Sequence, residues 1–599
     1  MSKVNSKTKP KQNNRLLFIS ISFMAIFISL IYSIKLRWLG DDIFIGFRYI
    51  QNFLDGHGLV YNVGERVEGY TDFLWIMLIS FFTWLKVDPL FSVQALGILS
   101  SIGTLILFSI ITYKLTNQSK NFIVPFISLS LALNYDYNVW ATSGLETSFF
   151  CFLLSTAFYI YFFSSLSEKR KKIFAGLFLC LALLTRPETI LIITLANMLI
   201  LAQQIKSRIK ISKIISDILL FNLCIILIYI PYYIWRYRYY GFPFPNTYYD
   251  KLGYESMFSK GFYYLWLYFG AHFVSFLILF LPPFILIPFL KKKFNSINNV
   301  RELENWNSAF ITSVLFVFVY LIGFVAKVGG DFMQARFIIP VSPFIGFIIY
   351  YSLLKIVNEK KLNLILVILL CLSFFETKIR FQFFKGYDEN GNKLIAINGD
   401  VADERDFYIN YVPIDIQIKF GKTIHRAFEG IDAKILIEGG QACFGYFANF
   451  NYCQEKHGLT DTLIAHSAVK DRGRIGHEKK GTLEYFQNKG INFVFFSAEN
   501  PLDSFSAATI FLPPYEVKMT IISYNIDIMN KIKERYGADF HFTDFPAYLD
   551  DYIKNDLPIK SHESLKKDYD KFNLYYFKHN NDIERENQFS NTLNRISKK

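Results

Sequence analysis

Apolar runs able to cross roughly 30 Å of hydrocarbon recur along the first two thirds of this chain. They lie at 16–34, 91–114, 121–137, 147–165, 172–185, 188–204, 215–235, 271–290, 307–326, 337–356 and 362–376, eleven in all. A twelfth apolar stretch, Thr71 to Lys86, is rich in Trp and Phe, and charge decides its place. Counted as a span, it would put the later Lys/Arg clusters on the outer side, so it reads as interfacial. The basic N-terminus (Lys3, Lys7, Lys9, Lys11, Arg15) then shares the inner side with Lys114, Lys120, Lys169 to Lys172, Lys206 to Lys213, Lys291 to Lys293 and Lys355 to Lys361. The outer side receives 35–90, 138–146, 186–187, 236–270, 327–336 and everything after 377. The first run, Leu16 to Ile34, is long and has no small-x-small cleavage site after it, so it reads as an uncleaved membrane helix.

After 376 the pattern changes. Short apolar runs at 434–440, 492–497 and 518–523 read as buried strands, with helical patterns near 459–469 and 477–489. The fold class is a polytopic α-helical membrane protein, with a membrane module over 1–376 and a soluble C-terminal α/β domain over 377–599.

Composition agrees with that split. The 599 residues are 52% hydrophobic and 18% aromatic, too apolar for a soluble protein, while 19% charged is too many for a bare helix bundle. Much of the +14 net charge sits in short inner loops, a topogenic pattern that argues against nucleic-acid binding. Cys151, Cys180, Cys224 and Cys371 fall inside apolar runs as packing residues. Cys443 and Cys453 lie in the polar region, and their pairing is left open.

The unusual polar residues fall in outer segments, and the first outer loop, 35–90, is far longer than a connection requires. It opens with Asp41-Asp42 just after the first span. Charge near hydrocarbon is costly. Capping an interfacial helix would explain the pair, and so would general-base work on a lipid-borne substrate, with the second carboxylate raising the pKa of the first or helping to hold Mg2+ or Mn2+. The loop continues with Arg48, Asp55-Gly56-His57-Gly58, Asn62, Glu65, Glu68 and Tyr70. Ser143-x-x-Glu146 has the form of a capping box, and Arg186-Pro187-Glu188 suits a helix start. Arg236, Arg238, Asn246 and Lys251 form a basic-aromatic stretch, and Asp331 and Arg336 follow Gly329-Gly330. Such cations can grip a lipid phosphate or serve as interface anchors.

In order and spacing, these pieces resemble the GT-C fold, polyprenyl-phosphate-dependent glycosyltransferases, in the branch of the mycobacterial terminal arabinofuranosyltransferase. The stretches that carry the resemblance are Asp41–Tyr49, Gly56–Trp75, Trp140–Thr147, Leu184–Glu188, Tyr239–Lys251 and Gly329–Pro340, then Ala402–Arg405, Gly439–Tyr446, Gly458–Asp461 and Arg472–Lys479. Cys443 departs from the small residues that the family places there. The resemblance implies transfer of a sugar from a polyprenyl-phosphate donor to a hydroxyl of an envelope glycan, glycolipid or protein, at the outer face of a bacterial inner membrane. It makes Asp41 or Asp42 the base, and it makes Arg48, His57, Glu68, Tyr70, Glu146, Arg186, Glu188, Arg238, Asn246, Lys251, Asp331 and Arg336 candidates for binding the substrate. The competing readings are a lipid or polysaccharide transporter, or a non-catalytic envelope or flagellar-motor assembly protein.

Overall fold

The computed structural model describes residues 9–116, 123–252, 256–290, 300–383, 386–387, 393–394, 397–398, 400–469, 473–495 and 503–597. Lys3, Lys7, Lys120, Lys291 to Lys293 and Arg472, which entered the sequence reading, lie outside them. The chain forms two compact units. Unit 1 takes 1–43, 70–243 and 254–411, and unit 2 takes 44–69, 244–253 and 412–599. The linear boundary at 376 gives way to this interleaved division: parts of the first outer loop and of the 236–270 segment belong with the C-terminal region, and 377–411 belongs with the helices.

Unit 1 is helical, and the protein is a multi-pass helical membrane protein. Among the described residues seven helices are long and apolar enough to cross a membrane, or eight if the bent pair Phe258–Ala271 and Phe273–Leu286 is one span. Eleven had been expected, and the shortfall has physical causes. The 121–137 run breaks at Asn134 into Phe126–Leu133 and Tyr135–Trp140. Thr147–Phe163 is short, and Glu168–Thr185 starts with a charged turn. Phe73–Trp84 is a twelve-residue helix. It is too short to cross at 1.5 Å per residue, in keeping with an interfacial place.

Aromatic packing fills the helical core. Phe158 meets Phe108, Phe344 and Phe347 at centroid distances of 6.5, 5.2 and 5.4 Å. At the 115° bend, His272 binds Asp136 at 2.8 Å, and Asp136 binds Arg380 at 2.7 Å. Arg380 also meets Asp403 at 2.7 Å, and Glu376 accepts the Val274 N–H at 2.8 Å. Buried charges persist when each has partners, and this network gives the bend its partners.

Unit 2 carries a six-stranded sheet. Its strands are β1 (Lys434–Ile437), β2 (Tyr452–Glu455), β3 (Phe493–Phe495), β4 (Ala507–Leu512), β5 (Tyr515–Ile521) and β6 (Phe540–Phe542), in the order β6-β4-β5-β3-β1-β2. β1 pairs in parallel with β2 and β3, and the remaining pairs are antiparallel. The three predicted strands are present as β1, β3 and β5. The expected helices shrink to Thr462–Ala465 and Leu483–Asn488. Beyond β5 the chain forms helices Ile526–Tyr536, Phe545–Asn555, His562–Tyr575 and Ile583–Ser597, buried through Leu565, Phe572 and Phe589. Cys443 and Cys453 are both buried free thiols.

Candidate active site

In unit 1 the loop before Asp41 is pinned to the segment before Glu146. Gly40 N–H donates to the Ser143 carbonyl at 2.9 Å, and Trp38 Nε1 donates to the Val139 carbonyl at 2.9 Å. Trp75 Nε1 donates to the Gly144 carbonyl at 3.0 Å. A Cβ on Gly97 would lie 2.4 Å from the Ala141 carbonyl oxygen, so only glycine lets helix Pro89–Thr116 approach this segment. Asp41 is buried at 3% exposure and Asp42 is half-buried.

Glu146 is the hub. Its Oε1 accepts from Arg186 Nη1 at 2.8 Å and from Arg336 Nη2 at 3.2 Å. Arg186 Nε reaches Glu188 at 2.7 Å, and the guanidinium lies 5.0 Å from the Phe337 ring centre. Arg336 Nη1 lies 3.5 Å from Asp331. The capping box read from Ser143-x-x-Glu146 is not formed. Glu146 occupies the N-cap of Thr147–Phe163 without a side-chain cap, because two guanidiniums hold a carboxylate better than neutral backbone donors.

Arg336 is aimed by its own loop. Tyr264 OH donates to the Met333 carbonyl at 3.0 Å and accepts the Phe337 N–H at 3.2 Å. Gly330 has φ +79°, and a Cβ there would fall 2.5 Å from the Tyr264 side chain. The motif's second glycine is therefore required by space as well as by conformation.

Burial works against the charges, and pairing restores them. Burial alone would raise the Glu146 carboxyl, but Arg336 and then Arg186 hold it below its usual range. Burial likewise opposes the charge on Arg336, while Glu146 and Asp331 raise its pKa, with Asp42 adding to that field.

Asp72 was missed by the sequence reading. It is the N-cap of Phe73–Trp84 yet makes no side-chain cap hydrogen bond. Burial first, and the Glu146 charge second, push its carboxyl up to about 7, against its own backbone N–H, Arg336 and Arg186. Its signal was an acid directly before an apolar helix. The folded protein holds this proton more tightly than the unfolded chain does. Asp72 therefore favours folding below 3.8 and penalises it increasingly as pH rises to about 7. Asp72→Asn cannot ionise, so its melting temperature should pull ahead of wild type by several degrees between about pH 5 and pH 8. Parallel melting curves across that range would remove Asp72 from the cluster's electrostatics.

The other candidates are placed differently. Tyr70 OH pairs with Tyr240 OH at 3.0 Å in unit 1, and Arg238 is exposed. Arg236 caps its own helix end, donating to the Pro243 carbonyl at 2.9 Å. Arg48, His57, Glu68, Asn246 and Lys251 belong to unit 2. Arg48 donates to the carbonyls of Tyr61 and Phe450 at 2.7 and 2.8 Å and to Asn62 Oδ1 at 3.2 Å, the work of a loop clamp. His57 is exposed. Glu68 is buried, and its carbonyl accepts the Asn246 N–H at 2.9 Å. Among the described residues no three His, Cys, Asp or Glu side chains are grouped to hold a metal. A Mg2+ or Mn2+ ion at the Asp41-Asp42 pair would rest on those two carboxylates, its remaining positions left to water or substrate oxygens.

Two cavities accompany the cluster. One, of about 10 Å3, has Glu146, Arg186, Tyr320, Arg336, Phe337 and Pro340 among its lining residues. Arg336 Nε and Tyr320 OH are buried without a hydrogen-bond partner among the described residues. The other, of about 340 Å3, is lined mainly by apolar side chains such as Leu154, Phe158, Phe316 and Phe344, with Gln203 and Lys206 also on its wall. Three chain segments serve both cavities: Phe150 and Leu154 lie one turn apart, as do Tyr320 and Phe316, and Pro340 and Phe344.

No protein-family model matches the chain. Two crystal structures of ArnT from Cupriavidus metallidurans, one bound to undecaprenyl phosphate and one in the apo state, align at 10% identity with TM-scores of 0.46 and 0.47. They cover 73% and 84% of this chain and 85% and 97% of theirs. The chain is 24% identical over 408 residues to the terminal beta-(1->2)-arabinofuranosyltransferase of Corynebacterium glutamicum, which is 63% of this chain and 56% of that protein. It is 28% identical over 244 residues to the protein of that name in Mycobacterium tuberculosis, 38% of this chain and 37% of that protein. The chain thus spans about half or less of the length of these curated relatives. In sequence it is similar to the terminal arabinofuranosyltransferases, the branch that its motifs resemble.

Proposed function

We propose that this protein is a membrane glycosyltransferase that moves one sugar from a polyprenyl-phosphate donor to a hydroxyl of an envelope glycan, glycolipid or protein. The observation that carries the reading is the pairing of two features on the same chain segments: buried, unpartnered donors on Arg336 and Tyr320, and an apolar cavity one turn away. A phosphate oxygen satisfies those donors, and a prenyl chain suits a cavity in the size range of small-molecule sites. In this reading Arg336 grips the phosphate, while Arg186, held by Glu146 and Glu188, keeps Glu146 in place.

The chemistry then needs one base. Asp41 accepts the acceptor hydroxyl's proton as that oxygen bonds to the anomeric carbon. The bond from that carbon to the phosphate oxygen breaks, and its electron pair leaves on the polyprenyl phosphate. Attack from the opposite face inverts the anomeric centre. Outer-face polar segments and inner-face lysines support a bacterial inner-membrane protein with unit 2 outside the cytoplasm.

The test is mass analysis of envelope glycans and lipid-linked sugars in a deletion strain. One glycan residue should disappear and its lipid-linked precursor should accumulate, with wild type but not Asp41→Asn restoring the pattern. An unchanged glycan and lipid profile in the deletion strain would refute transfer.

A further inference from the structure

Unit 2 holds a second buried polar centre that the transfer chemistry does not use. Asn246 opens the helix Asn246–Leu252, and its Nδ2 donates to the carbonyls of Gly458, Leu459 and Asp461 at 2.7, 3.0 and 3.3 Å. Asp250 is four residues on and therefore shares that helix face, and Thr247 lies three residues before Asp250. The face is thus turned to the loop that contains Thr460. Asp250 is 2% exposed, and neither of its carboxylate oxygens has a hydrogen-bond partner among the described residues. The Oγ1 atoms of Thr247 and Thr460 are also buried without partners.

The surrounding charges do not resolve this. Glu455 adds a second carboxylate to the field at Asp250, and its oxygens accept the N–H groups of His457 and Leu459 at 2.7 and 2.9 Å. Glu478 adds a third, weaker acidic contribution. Among the described residues, Lys251 and Lys479 are cations whose charge opposes this at Asp250. Lys479 Nζ donates to the carbonyls of Tyr249 and Ala465 at 2.8 and 2.5 Å, and the Lys251 stem runs beside Gly476.

We infer that Asp250, Thr247 and Thr460 form a binding site for a hard divalent cation of the Ca2+ kind, its remaining positions filled by water. The ligand set is all oxygen, a carboxylate and two hydroxyls completed by water, which suits a hard ion. An anion would be repelled by Glu455, and burial, with the Glu455 charge, already holds the Asp250 carboxyl well above its usual range. An apolar group would leave four buried oxygens unsatisfied, and water supplies no charge to offset the carboxylates. A thiophilic metal finds no Cys in the set. The ion would tie helix Asn246–Leu252 to the loop after β2, and through the Glu68 carbonyl on the Asn246 N–H to the first-loop segment of unit 2.

The test is thermal unfolding of the full-length, detergent-solubilised protein with and without ~5 mM Ca2+, a level matched to the weak end of oxygen sites. Ligand that binds only the folded state raises the melting temperature. Wild type should gain several degrees, Asp250→Asn should gain nothing, and Thr460→Val, which keeps its shape, should gain less than wild type. Asp55→Asn, an exposed acid of the same unit, should respond as wild type does. A wild-type protein unmoved by Ca2+ or Mg2+ overturns the site, as does an Asp250→Asn variant with the full response.

Discussion

Asp41→Asn should cut sugar transfer by ~100- to 10,000-fold, the usual worth of a positioned general base, while the protein inserts and folds normally. Asparagine keeps the shape of a side chain that is 3% exposed, so packing is retained and only the proton acceptor is lost. Asp42→Asn should also be severe, by a different route. Asp42 is half-buried and adds to the field that keeps Arg336 charged. Its loss should therefore weaken donor binding as well as turnover, whereas Asp41→Asn should leave donor affinity close to wild type. Turnover at saturating polyprenyl-phosphate sugar, measured beside donor affinity, separates the two. An Asp41→Asn enzyme with near-normal turnover would sink the base assignment.

The second large effect is expected at Arg336. Its Nη1 and Nη2 hold Asp331 and Glu146, and its buried Nε has no protein partner among the described residues. A charge-assisted hydrogen bond is worth about 1.5–3 kcal/mol, so Arg336→Ala should weaken donor binding roughly ten- to hundredfold. Arg336→Lys should be nearly as damaging, because a point charge cannot serve two carboxylates and a phosphate oxygen from one planar fork. Arg238→Ala, at an exposed position, should bind donor like wild type. The measurement is donor affinity in detergent for all three variants. If both Arg336 variants bind normally, the phosphate is held elsewhere and the Glu146 hub is structural.

Much of this was legible before any fold was known. Runs of about twenty apolar residues announce membrane helices because lipid demands internal backbone pairing. Charged residues at their outer ends stand out because they are expensive there. That reasoning picked out Asp41, Asp42, Glu146, Arg186, Glu188, Asp331 and Arg336, and unit 1 joins Glu146, Arg186, Glu188, Asp331 and Arg336 directly. Two parallel core strands of unit 2, β1 and β3, were visible as short apolar runs for a similar reason: strands buried on both faces read as continuous hydrophobics.

What a charge does with its partners was decided only by tertiary structure. Glu146 fits a local capping pattern, yet it pairs with arginines 40 and 190 residues away, and no spacing rule reaches that far. Arg48 looked like a ligand grip, but carbonyls as distant as Phe450 absorb its donors. Asp72 drew no notice in the sequence, and burial, with the Glu146 charge beside it, makes it a titrating group. The lysine-rich end hid four helices because their buried residues, such as Leu565 and Phe572, are spread among charges. Periodicity in a sequence tells which face of a segment is apolar. Which charges meet, and which are left with unfilled hydrogen bonds for a ligand, depends on the long-range closure of the chain.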